Sequence, residues 1–185
     1  NIYLVGYTDT QAIDANDIWI IQSNNDGDLK EKRKISSPNG DEDLTQIRWV
    51  SNSTFMFVGV NQTTDNMIYG TFSYDGSNIN VDFVKQVPAL GGYARNPRFT
   101  IDEYNDVFFL YDVFNNANGK FERIQLGKIP LADTNATYTN NQGATLPKPW
   151  LFRKSLTPQG NYVSIKNTGL HIDVFGDVVI TAAID

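Results

Sequence analysis

The stretch IRWVSNSTFMFVGV, residues 47–60, decides the fold class. Alternating apolar residues lead into a short turn-forming segment, and a second run rich in aromatic and β-branched residues follows. This order predicts two antiparallel strands joined by a tight hairpin. The pattern recurs in register at 99–110 and at 170–180, and the chain opens with a copy of its second half at 2–7. We therefore expect a protein built from a repeated hairpin.

The spacing of the repeat predicts the architecture. With Ile2, Phe55, Val107 and Val178 as equivalent positions, the separations are 53, 52 and 71 residues. A period near 50 in which every unit consists of short strands is typical of β-propeller blades, which run at roughly 40 to 50 residues. Apolar residues are nowhere sustained at helical spacing. The sequence thus predicts an all-β fold made of propeller blades of four antiparallel strands, with about three and a half repeats.

The second strand of each hairpin explains why the unit is repeated. Residues 54–60 and 106–113 are apolar almost throughout, so both faces of these strands need to be covered. Stacking one four-stranded sheet against the next supplies that cover, because a lone hairpin is marginal in water.

The repeats fill a single propeller domain or segment over 1–185. Their approximate limits are 1–43, 44–97, 98–168 and a partial copy at 169–185. A second-strand copy occurs at both ends of the chain, so the two ends cannot jointly complete one blade. We expect a segment of a larger propeller, or self-assembly with other copies through unpaired blade strands.

The first repeat resembles a known family. The strand YLVGYT at 3–8, followed by DIWIIQSNNDGDLKEKRKI at 17–35, is similar to bacterial-type β-propeller repeats, in which an IWIIKLDxDG strand and turn follow a GNIYVTGYT strand. The resemblance covers the first repeat well and the other copies loosely. It implies a propeller fold and no particular activity.

Composition excludes several functions. The net charge is −6 and no Lys/Arg stripe occurs, which argues against a nucleic-acid partner. The basic run at 30–34 is predicted to be the solvent face of an outer strand. The absence of cysteine excludes thiol catalysis and cysteine-ligated zinc. No apolar run is long enough to span a membrane.

No residue qualifies as catalytic from the sequence. His171 is the single histidine, so a histidine-rich metal site is excluded, and no Gly-x-Ser-x-Gly motif supplies a nucleophile. A pair of carboxylates could serve a hydrolase or lyase at the propeller channel. Asp102, Asp112 and Asp173 cannot be positioned finely enough from sequence to support that alternative.

One acidic loop is a candidate calcium site. Asp9, Asp14 and Asp17 lie within one predicted polar segment, and carboxylate oxygens are the ligands Ca²⁺ prefers. Turn capping by Asp accounts for the same residues without a metal. No other cofactor is indicated.

The insertion at 130–150 is the predicted recognition segment, since loops on a rigid scaffold commonly carry binding residues. It lengthens the third repeat and contains Trp150 and Tyr138, the candidate binding residues. Trp49 takes the position held by Ile101 in the next copy and is predicted to pack in the core.

Three glycosylation sequons begin at Asn52, Asn61 and Asn135, all in predicted turns. They favour an extracellular or cell-surface location. The function expected is a non-catalytic binding or interaction module with a protein or glycan partner. The alternatives are a structural component of a surface layer, fibre or virion, and the carboxylate-based hydrolase or lyase.

Overall fold

The computed structural model describes residues 2–8, 17–35, 42–51, 53–89, 91–139, 145–147, 152–157 and 164–184. In these residues the protein is all-β, with one 3-10 turn and no α-helix. The strands are β1 Ile2–Thr8, β2 Asp17–Ser23, β3 Leu29–Ile35, β4 Glu42–Ser51, β5 Thr54–Asn61, β6 Asn66–Tyr74, β7 Ile79–Val87, β8 Tyr93–Ile101, β9 Asp106–Asn115, β10 Lys120–Pro130, β11 Thr137–Thr139, β12 Thr145–Pro147, β13 Phe152–Leu156, β14 Ile165–Ile172 and β15 Val178–Ile184.

The chain forms two compact units, 1–87 and 88–185. Unit 1 holds a three-stranded sheet, β1-β2-β3, and a four-stranded sheet, β4-β5-β6-β7, in which each strand pairs antiparallel with the next along the chain. The basic run at 30–34 lies on β3, the outer strand of its sheet, and Lys30, Lys32 and Arg33 are exposed as predicted.

Unit 2 repeats the four-stranded arrangement with one interruption. Its main sheet has the order β13-β10-β9-β8, so β13 serves as the outer strand after the long insertion. The insertion contains the 3-10 turn Leu131–Asp133 and the short pair β11-β12, and β14-β15 form a separate two-stranded sheet.

Each unit has its own apolar core, formed by residues that alternate along the strands. Unit 1 contains the buried cluster Ile20, Phe57, Ile68, Phe72 and Ile79. Unit 2 contains the buried cluster Phe108, Leu110, Ile124, Ile165 and Leu170. Most of β5 and β9 is buried on both faces, which confirms the prediction drawn from their continuous apolar runs.

The three hairpins share a backbone irregularity at the same distance from their tips. The register of the first strand shifts between Leu44 and Gln46 in β4, and between Arg95 and Arg98 in β8. It shifts again between Asn167 and Gly169 in β14. Such a shift inserts one extra residue and increases the local twist. A bulge at equivalent positions marks the three hairpins as copies of one unit.

The first strand of the third hairpin, β8, begins at Tyr93, five residues before the approximate repeat limit at 98. One prediction is wrong. Trp49 is 63% exposed instead of packed in the core. Trp49 pairs with Phe55 in unbroken register with Ile47, so its exposure does not come from a change of face; a second register shift follows it, between Trp49 and Ser51.

The all-β class and the four-stranded antiparallel sheets are confirmed. Their assignment to propeller blades stays a prediction. Among the described residues, no helix has the length and apolarity needed to span a bilayer.

Candidate functional site

Two hairpin loops of unit 2 have the same backbone and form the candidate site. The 102–106 loop joins β8 to β9, and the 173–177 loop joins β14 to β15. In each loop the backbone N–H of the first residue donates to the backbone carbonyl of the fifth. The N···O distance is 3.1 Å from Asp102 to Asp106 and 3.0 Å from Asp173 to Asp177. The two loops are therefore closed in the same way.

A side-chain cap strengthens each closure. Asp102 Oδ1 accepts the backbone N–H groups two and four residues later, at 3.0 and 2.8 Å. Asp173 Oδ1 accepts the equivalent two, both at 2.9 Å. Asp side chains favour such turns because the carboxylate replaces a backbone acceptor. The first Asp of each loop thus holds the shape of the tip.

The fourth loop residue allows the chain to reverse. Asn105 has φ of 60° and Gly176 has φ of 84°, the left-handed region that Gly and Asn tolerate best. The two residues before each of them, at 103–104 and 174–175, lie at the loop tip and are exposed.

The two tips border a shallow groove of about 190 Å³. Its lining residues are Asp102, Glu103, Tyr104, Ile172, Asp173, Val174, Phe175 and Gly176. The large apolar side chains at the tips are strongly exposed: Tyr104 by 76%, Phe175 by 86% and Val174 by 93%. Exposed apolar residues that stand together mark interaction surfaces more often than scattered ones do.

The groove is acidic. Asp102, Glu103 and Asp173 are among its lining residues, and no Lys, Arg or His is. The hydrogen bond to Glu103, together with the negative charge of that carboxylate, raises the pKa of the Tyr104 phenol. The Tyr104 phenol is therefore held in its neutral form, in which its O–H can donate a hydrogen bond.

The loops meet because a buried polar network joins β14 to β8 and β9. Asp112 is fully buried, and its Oδ1 accepts both the backbone N–H and the side-chain Nδ2 of Asn167, at 2.8 and 2.7 Å. Its Oδ2 accepts Asn96 Nδ2 at 2.8 Å. Arg98 Nε donates to Asn167 Oδ1 at 2.9 Å. These bonds join segments far apart in the sequence.

The network sits on the bulges described above. Asn96 and Asn167 hold equivalent positions at the bulges of β8 and β14, and Asn96 has φ of 48°. Burial raises the pKa of the Asp112 carboxyl, against the amide donors, which lower it. Because all of its hydrogen bonds go to structural partners, we interpret Asp112 as a clamp between sheets.

The predicted binding and metal residues fall largely outside the described structure. Trp150, Asp9 and Asp14 lie outside the described residues. Tyr138 lies on β11 and Asp17 begins β2, but their side chains are not among those described. No group of three or more metal-binding side chains occurs within the described ranges. The calcium and recognition-loop hypotheses stay predictions.

The sequons differ in accessibility. Asn135 is exposed just after the 3-10 turn. Asn61 is fully buried, and its Nδ2 donates to Glu42 at 3.0 Å. Glycosylation of Asn61 would have to occur before folding, and the glycan would then prevent this hydrogen bond from forming. Asn52 lies outside the described residues.

The residues that line the groove were missed at the sequence level as a binding site. His171, the one histidine, is exposed on β14 opposite Val179 and is not among the lining residues. The available signal was the pair of apolar residues Val174 and Phe175 inside a turn, where polar residues are the rule. In comparisons with protein-family models, curated proteins and solved structures, nothing matches this chain.

Proposed function

We propose that this protein is a non-catalytic binding module, and that the groove between the 102–106 and 173–177 loops takes a protein segment with Lys or Arg beside an apolar residue. The observation that carries the proposal is the exposure of Tyr104 and Phe175 next to three carboxylates. Aromatic side chains supply large contact area at low entropic cost. Their exposure is costly unless a partner covers them.

The energetics favour a weak or moderate interaction. Covering one aromatic side chain contributes about 2 kcal/mol. A cation at the rim adds little direct stability but accelerates association and selects the partner by charge. A binding surface of this kind discriminates against acidic partners, including nucleic acids.

Catalysis is a poorer fit to this groove. Asp102 and Asp173 each devote Oδ1 to two backbone N–H groups of their own loop. A carboxylate general base needs an oxygen directed at substrate. The turn geometry accounts for both residues, so the hydrolase or lyase alternative draws no support from them.

The scaffold of this module is proposed to be a β-propeller segment, with an extracellular or cell-surface location. The four-stranded antiparallel sheets support the propeller proposal, and so do the bulges at equivalent positions. The exposed sequon at Asn135 is compatible with the proposed location.

The experiment is selection of a random peptide library on the immobilised 185-residue chain. We expect the enriched peptides to pair Lys or Arg with an apolar residue, and the double substitution Tyr104→Ser with Phe175→Ser to weaken their binding about tenfold or more. Glu103→Gln should reduce the salt dependence of binding, because it removes one rim charge.

The matched control is Trp49→Ser, which removes an exposed aromatic from a different hairpin. It should leave peptide binding unchanged. Enrichment of acidic peptides, or binding that survives the double substitution, would contradict the proposal. Selective binding to a glycan array that the double substitution abolishes would replace the protein partner with a sugar.

A further inference from the structure

Strand β15 holds the same place in its hairpin as β5 and β9 hold in theirs. All three follow the bulged first strand and pair with it from the tip outward. β5 also pairs with β6, and β9 also pairs with β10, so both strands are central in four-stranded sheets. In the part of the chain that the structure describes, β15 pairs with β14 alone.

Solvent exposure reflects this difference. Residues 107–113 of β9 are buried without exception. In β15, residues 178–180 are half-buried and residues 181–184 are exposed, with Ile184 exposed by 48%. Val178 and Ile180 pack on the apolar cluster of unit 2. One edge and one end of an apolar strand are therefore left open to solvent.

The sequence of β15 is not that of an edge strand. The outer strands β3, β7 and β13 all carry charged residues, such as Arg33, Lys85 and Lys154. Charged side chains on edges prevent unwanted strand pairing. β15 has the sequence VVITAAI, with no charged residue at all. In this it matches β5, TFMFVGVN, the equivalent central strand of unit 1, which also has no charged residue.

We propose that the free edge of β15 binds an antiparallel strand supplied by another polypeptide segment, with the residue pattern of β6 and β10. Such strand addition gains its affinity from main-chain hydrogen bonds and its specificity from side-chain pattern. This interface uses different residues from the groove of the proposed function and stands independently of it.

The two complete sheets specify what the added strand looks like. A glycine faces the third apolar position of the central strand in both: Gly70 opposite Phe57 and Gly127 opposite Phe109. A Cβ at Gly70 would lie 2.6 Å from the Phe57 ring and still closer to the carbonyl oxygen of Phe83 on the next strand, so both neighbours require glycine there. The equivalent position in β15 is Ile180, and we expect a small residue of the partner strand opposite it.

The test uses a synthetic peptide with the sequence of β10, KFERIQLGKIP, added to the full 185-residue chain. Hydrogen exchange of the backbone amides is followed by mass spectrometry. We expect exchange across 178–184 to slow about tenfold or more, since paired amides are protected from solvent. Exchange in the charged outer strand β13 should stay unchanged.

A control peptide carries proline at the positions of both Gln125 and Leu126. One of these adjacent amides faces the β15 edge whichever way the peptide docks, and proline removes both donors. This peptide should give no protection. The Tyr104→Ser, Phe175→Ser chain should bind the β10 peptide as well as the unchanged chain does, which separates this proposal from the groove.

Two results would overturn the proposal. The first is unchanged exchange in 178–184 at millimolar peptide. The second is protection of 178–184 before any peptide is added, together with a concentration-dependent dimer in sedimentation equilibrium, which would show that a second copy already covers the edge. In either case β15 is not an acceptor for a β10-like strand.

Discussion

The two units carry different side-chain chemistry at equivalent positions of the repeated hairpin. Unit 1 has Leu44 at its bulge and Val60 on the facing strand, both apolar. Unit 2 has Asn96 and the buried Asp112 at the same places, with Asn167 supplying a further amide. The repeat therefore fixes the backbone geometry, whereas apolar packing or hydrogen bonds can fill it.

Apolar packing and a buried polar network respond differently to a single substitution. Truncating an apolar side chain in a core costs the transfer energy of the removed atoms and a further amount for the cavity that remains. A polar network is worth little net when complete, but removing one member leaves the others buried without partners. At these equivalent positions, unit 2 is accordingly expected to be sensitive to a single polar substitution, whereas the buried polar pair of unit 1 lies elsewhere, at Asn61 and Glu42.

The largest effect is expected in the apolar core of unit 1. Phe57 is fully buried at the centre of its cluster, so Phe57→Ala should lower the free energy of unfolding by about 4 kcal/mol. Urea denaturation followed by tryptophan fluorescence measures the change. Phe175→Ala, at an exposed loop tip, should change it by about 0.5 kcal/mol or less. A small loss of stability at Phe57 would argue against the packing described for unit 1.

Asp112→Ala should come next, at about 3 kcal/mol, because the amides of Asn167 and Asn96 lose their acceptor inside the protein. The matched substitution in unit 1, Val60→Ala, should cost about 2 kcal/mol through the lost transfer energy and the cavity, with no polar group left unpaired. Equal losses of stability in the two variants at all pH values would remove the distinction between the units.

The pH dependence of stability also distinguishes Asp112→Ala from Val60→Ala. Burial raises the pKa of Asp112 above its ordinary value of 3.8 in the folded protein. Folding therefore favours the protonated carboxyl, and this contribution to stability is fully present below the unfolded pKa and is lost as pH rises through the folded pKa. The stability gap between the unchanged chain and Asp112→Ala should narrow from pH 4 to pH 7, while the gap for Val60→Ala stays constant.

The smallest effect is expected at the loop tips. Gly176→Ala forces a Cβ into the left-handed region, at a cost of about 1 kcal/mol, although no atom lies within 4 Å of the new carbon. Asn105→Gly, at the equivalent position, should be neutral within about 0.5 kcal/mol. Thermal unfolding by calorimetry resolves both. A destabilisation by Asn105→Gly as large as that by Gly176→Ala would indicate that the Asn105 side chain itself stabilises the loop.

Most of the local structure could be predicted from the sequence. Periodicity placed the second strand of the hairpin at 54–60, against the observed Thr54–Asn61 of β5, because alternation and turn chemistry act over short distances.

The candidate site could not be predicted because it is assembled from distant residues. The groove is lined by residues of the 102–106 loop and the 173–177 loop. The hydrogen bonds between Asp112 and Asn167 connect residues 55 positions apart in the sequence. No local pattern encodes which sheets pack together. Trp49 shows the same limit in reverse, since the local pattern assigned to the core a residue that the structure leaves 63% exposed.

The connection between β10 and β13 shows how this sheet can accept added sequence. β13 pairs in continuous register with Ile124–Lys128 although a 3-10 turn and the β11-β12 pair intervene in the chain. The closure cost of such a connection grows only slowly with its length. The segment between Pro130 and Phe152 is therefore a natural insertion point for an affinity tag or a reporter domain, because lengthening this connection should cost little of the pairing between β10 and β13.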